Sequence, residues 1–152
     1  MEDRKLYPIL TYAGMLPFIG CALMPIVGLQ ELWNLGSYDH IAAAYGLAIV
    51  CFLCGAHWGT YLYNRAAAPD NLFITSNVIV VACWFAFLMA AQSITLFVLI
   101  LAFLCLLFID YRLLRAGLIT DYYFRMRTTA TVVAVLALAI IIALVSRSHP
   151  AS

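Results

Sequence analysis

Cys51-Phe52-Leu53-Cys54-Gly55-Ala56-His57-Trp58-Gly59-Thr60-Tyr61 places a histidine inside an apolar run that extends from Ile41 to Tyr63. A helix needs about 20 mostly apolar residues to cross a bilayer, and this run supplies them. An ionisable side chain at membrane depth is costly and is a functional-site hypothesis by default. The surrounding chain therefore reads as helices gathered around His57.

The composition agrees with lipid as the solvent. Of 152 residues, 66% are hydrophobic and 10% charged, whereas soluble domains are about half apolar and about a quarter charged. A chain this short cannot hide that excess in its own core. Four further segments are long enough, or nearly so, to span: Leu6–Leu29, Leu72–Ala91, Ile94–Leu114 and Thr128–Val145. The expectation is an all-α fold, a single domain over residues 1–152, built as an integral membrane bundle of five transmembrane helices.

Lys and Arg set orientation. With the N-terminus in the cytoplasm, Arg4, Lys5, Arg65, Arg112, Arg115, Arg125 and Arg127 fall inside and Arg147 alone falls outside. The expected topology is N-in, C-out. The apolar run from Leu6 to Leu29 is too long for a signal-peptide core and is expected to stay as helix one. Pro8 is expected near its start, and Pro17 and Pro25 are expected to kink it. Gln92-Ser93 is expected to join helices three and four. Trp33, Tyr38, Tyr61, Tyr63, Tyr122 and Tyr123 lie near segment ends, as an aromatic belt would.

Gly55 and Gly59 form a G-x-x-x-G pair that Cys51 extends, a stripe suited to close helix packing or to a homo-oligomer contact. His57 lies on roughly the opposite side of that helix, with Leu53, Tyr61 and Asn64. At ~1.5 Å per residue, His57 and Asp110 both lie about 24 Å from the outer edge of their segments. Asn77, Tyr12, Arg125 and Arg127 come to nearly the same level. A polar layer just inside the cytoplasmic interface follows. Its candidate ligand-binding residues are His57, Trp58, Tyr61, Asn77, Asp110, Tyr122, Tyr123, Arg125 and Arg127. Asp110 is expected to contact Arg125 or Arg127, or His57 across the bundle. The competing reading is that these groups only lock helices together or, for the arginines, snorkel to the interface.

His57 has no second ligand at helical spacing, so no metal is implied. No cofactor is implied either, and no phosphate loop, dinucleotide fingerprint or nucleic-acid signature appears. The cysteines (Cys21, Cys51, Cys54, Cys83 and Cys105) all sit in apolar runs and read as small buried side chains rather than disulfides or a redox pair.

Leu16-Pro17-Phe18, Gly55-Ala56-His57-Trp58-Gly59 and Tyr122-Tyr123-Phe124-Arg125-Met126-Arg127-Thr128 together resemble an uncharacterised family of small multi-pass membrane proteins. It is a domain of unknown function found in many proteobacteria and includes the mitochondrial transmembrane protein sixty-nine. Asp110 also resembles a family position. Thr120 and Tyr122 depart from it, since members often carry Pro and Trp there. The resemblance implies a bacterial inner-membrane location, or a mitochondrial inner-membrane one, and no activity. Three functions remain open. The first is binding of a membrane lipid's anionic headgroup, for which Arg125 and Arg127 suit a phosphate, of a quinone headgroup or of a membrane-protein partner at the polar layer. The second is proton-linked transport or channel activity by an oligomer. An enzyme acting on a lipid ranks last.

Overall fold

The computed structural model describes residues 3–29, 31 and 35–148. Trp33 lies outside them. Among these residues the chain forms six helices: α1 (Asp3–Ala13), α2 (Leu16–Leu23), α3 (Tyr38–Asn64), α4 (Leu72–Met89), α5 (Gln92–Arg115) and α6 (Asp121–Ser148). No strand is present among them beyond an isolated bridge between Glu31 and Ser37. Helices α3 to α6 are long and apolar enough to cross a membrane. The architecture is that of a multi-pass membrane protein.

The first apolar segment corrects the sequence reading. It is not one kinked helix but two short ones, and its apolar helical stretch, Pro8–Leu23, is shorter than the other four. The chain breaks at Gly14-Met15. Pro17 then stands in the first turn of α2, where a missing N–H costs nothing. Pro25 follows α2 in a turn, so neither proline is interior to a helix. Pro8 lies inside α1 rather than opening it. The break leaves the Gly14 carbonyl free, and the Tyr45 hydroxyl on α3 donates to it at 3.0 Å. A tertiary hydrogen bond thus satisfies the group that lipid could not.

Helix α5 is the hub, packed against α3, α4 and α6. Its buried residues Leu96, Leu99, Phe103, Leu106, Asp110 and Leu113 recur at alternating three- and four-residue steps. Helix α3 shows the same seam through Ala43, Gly46, Val50, Leu53, His57 and Tyr61. This is the spacing of knobs-into-holes packing. Gly46 is where these helices come closest. A Cβ built there would lie 3.0 Å from Leu99 Cδ1. Phe18 of α2 caps the seam with edge contacts to Tyr45 and Phe103, ring centroids 5.0 and 5.8 Å apart.

The α4–α5 turn lies at Ala90-Ala91, one step before the expected Gln92-Ser93, because both polar side chains begin α5 instead. Gln92 Nε2 reaches the Asp39 carbonyl at the head of α3, 3.0 Å away. The α5–α6 turn is defined by hydrogen bonds. Leu118 N–H donates to Leu113 O and Gly117 N–H to Leu114 O, with Gly117 at φ +72°. This is a Schellman ending, and Leu118 packs on the apolar cluster containing Leu113, as that motif favours. Thr120 Oγ1 then accepts from Tyr123 N–H and caps α6. The turn holds α5 and α6 antiparallel at fixed register.

Candidate functional site

That register sets the electrostatics. Asp110 lies seven residues before Gly117, and Arg127 lies seven after Thr120. Both are therefore about 10 Å from the turn and face each other. Arg127 Nε donates to Asp110 Oδ2 at 3.0 Å. On the other side, His57 Nε2 lies 2.8 Å from Asp110 Oδ1. A carboxylate can only accept, so Nε2 carries the proton. The three residues His57, Asp110 and Arg127 are 3%, 1% and 8% exposed. Helices α3, α5 and α6 thus meet at one carboxylate, and the expected Asp110 contacts to Arg127 and His57 are both present.

The seam sequence explains the placement of His57. Leu53 and Tyr61, one turn to either side, are buried on the same face. Tyr61 joins Leu72, Ile109 and Leu113 in a small apolar cluster beneath the triad. Trp58 points elsewhere, is 42% exposed and packs against Phe73, centroids 4.7 Å apart.

Other members of the expected layer are not brought in. Asn77 is exposed and donates to the Phe73 carbonyl of its own helix at 2.7 Å. A mid-helix amide can satisfy itself this way without a tertiary partner. Arg125 and Tyr122 are exposed on α6, and Tyr12 is exposed on α1. Residues two apart on a helix point to opposite sides, so Arg125 and Arg127 cannot both face Asp110. Cys51 and Gly55 are exposed, and nothing lies within 4 Å of a Cβ added at Gly55 or Gly59. The tight helix approach occurs at Gly46 instead. The cysteines are all free, with Cys21, Cys54 and Cys83 buried and Cys51 and Cys105 exposed. Arg112, beyond the triad, pairs with Asp70 at 2.7 Å where both side chains are partly exposed.

A cavity of about 490 Å³ adjoins the triad, between the broken first segment and α3, α5 and α6. Its size falls within the range of small-molecule sites, about 300–1,000 Å³. Gly14 and Met15 at the break line one wall, and Phe18 and Phe103 are buried within it. Leu10 and Phe52 also line it but are 62% and 73% exposed, so it opens outward between α1 and α3. Tyr123, Arg127 and Thr131 face it from α6.

Two residues of this wall each carry an unsatisfied polar atom. Arg127 Nη2 and Thr131 Oγ1 are buried with no hydrogen-bond partner. Such groups are expensive away from water and call for an explanation. Sequence reasoning passed over Thr131, though the spacing Tyr123, Arg127, Thr131 repeats every four residues and marks a polar stripe along one helix face. His57 Nδ1 is also buried without a partner.

Comparison with curated proteins and with solved structures finds no match. The family described as Protein of unknown function (DUF3429) matches residues 4–143, which include α3 to α5, the triad and the whole cavity wall. The chain belongs to that family.

Proposed function

We propose that the protein is a membrane-embedded binding protein for an amphipathic molecule, a lipid or a quinone. The tail occupies the cavity and the polar head meets Arg127. One observation carries this reading: Arg127, whose buried Nη2 has no partner, lines a cavity whose other walls are mostly apolar. The opening beside Leu10 and Phe52 supports entry sideways from the bilayer. The Lys and Arg distribution supports an N-terminus on the cytoplasmic side of a bacterial inner membrane. The mitochondrial inner membrane is the alternative.

Proton-linked transport finds less support. Beyond Thr131 the buried seams toward the far end run mostly through apolar side chains, Val50, Leu99, Phe103, Ala134, Leu138 and Ile141, with Thr95 near the end. A proton path would need polar groups there.

The test is native mass spectrometry of the purified chain in mild detergent. A small molecule retained by the natural sequence and lost in Ala130→Phe, which fills the cavity, is the expected result. A folded chain that retains nothing overturns the reading. The same spectra report self-association through the open Gly55/Gly59 face or a co-purifying membrane partner.

A further inference from the structure

We infer that the cavity takes a molecule with an uncharged head, whose carbonyl oxygen accepts from Arg127 Nη2 and Thr131 Oγ1, and that it discriminates against anionic heads. This rests on the binding reading above and specifies its ligand class. A lone arginine on a pocket wall would ordinarily suggest a phosphate or carboxylate ligand. Here the charge is already matched. Asp110 contributes one negative charge, Arg127 one positive, and they touch at 3.0 Å. His57 donates a hydrogen bond from Nε2 to the same carboxylate, which a neutral imidazole can do. Besides Arg127, the residues that line the cavity include no Asp, Glu, His, Lys or Arg. An anion entering this low-dielectric space would find no free countercharge to offset its desolvation.

Hydrogen bonding remains unmatched, on the donor side. Arg127 Nη2 can only donate, and Thr131 can donate its hydroxyl proton. The two residues are one helical turn apart on the same face of α6. A carbonyl oxygen has two lone pairs and can accept from both. Phe18, Phe52 and Phe103 give the remaining wall a ring-lined, apolar character. Two sources share this chemistry: a quinone with an alkyl or prenyl tail, and the ester of a neutral glyceride.

The experiment titrates the full chain, in a detergent that lacks carbonyl groups, with three probes. They are a decyl-substituted benzoquinone, dioctanoylglycerol and dodecyl phosphate. At least one neutral probe is expected to bind about 10-fold or more tightly than dodecyl phosphate, a difference of about 1.4 kcal/mol. The tighter neutral probe identifies the source. Thr131→Val, which keeps shape and charge, is expected to weaken that probe several-fold and leave dodecyl phosphate unchanged. Asp110→Asn frees the Arg127 charge and is expected to shift preference toward dodecyl phosphate. Should that variant fail to fold, the natural chain and Thr131→Val still decide. Dodecyl phosphate binding as tightly as the neutral probes would overturn the uncharged-head inference and leave the binding reading standing. No probe binding to a folded, monodisperse chain would overturn both.

Discussion

Asp110 spends one carboxylate oxygen on His57 and the other on Arg127. Removing it strands two buried partners at once. Breaking a buried ion pair from one side costs about 3–5 kcal/mol. Arg115, five residues on, is exposed and donates to the Tyr111 hydroxyl at 3.3 Å. Exposed contacts of that kind contribute little, about 0–1 kcal/mol. Asp110→Ala is therefore expected to destabilise the protein by about 3 kcal/mol more than Arg115→Ala. Thermal unfolding of both variants in one detergent measures the gap, and equal melting temperatures would contradict it. The level of this residue was legible from helical rise alone, as was the identity of its partners within a choice of three. The sequence could not say which arginine turns inward, because depth is shared by Arg125 and Arg127 while azimuth depends on packing. Asn77 misled for a related reason: depth does not reveal that an amide has found its own helix's carbonyl.

At the scale of the helix, the two kinds of glycine in α3 behave differently. Gly46 sits against Leu99, a fully buried side chain whose Cδ1 would lie 3.0 Å from an added Cβ. Gly55 faces open space. Gly46→Ala is expected to cost about 1–2 kcal/mol through overpacking. Gly55→Ala is expected to be neutral or slightly stabilising, since alanine is the better helix former. Unfolding in detergent checks the order, and a loss at Gly55 equal to that at Gly46 would place a contact on the open face. Within the single chain, the tight contact falls at Gly46 and not at the G-x-x-x-G pair. A spacing names a smooth stripe but not the neighbour that uses it. The four long helices were legible because about twenty apolar residues admit few other readings in lipid. The break at Gly14-Met15 was not. Prolines mark only where a helix is weak, and whether it bends or divides depended on a hydroxyl from Tyr45, 31 residues away.

For the whole molecule, α1 and α2 close one side of the cavity, and α2 packs on α3 and α6. The proposed topology puts the two chain ends on opposite sides of the membrane. A reporter active only in the cytoplasm, fused after Ser152, is expected to be silent. Activity there would mean that the first apolar segment enters and leaves on the same side.

The order in which the triad's members leave the ribosome follows from the chain. His57 comes first, Asp110 follows 53 residues later, and Arg127 17 residues after that. Until α6 emerges, the carboxylate has no cation to share the bilayer with, and a lone aspartate at helix depth disfavours insertion by roughly 2.5–3.5 kcal/mol at the centre. The short α5–α6 turn makes those two helices a hairpin that can enter the membrane as one neutralised unit. A chain truncated after Leu118 is expected to insert α5 less efficiently than a chain extended through α6. Insertion scored with glycosylation tags would show it, and equal insertion would mean that α5 commits before its countercharge is made. On this expectation, the ion pair that the folded bundle needs also serves as the entry permit for α5 and α6 as a pair.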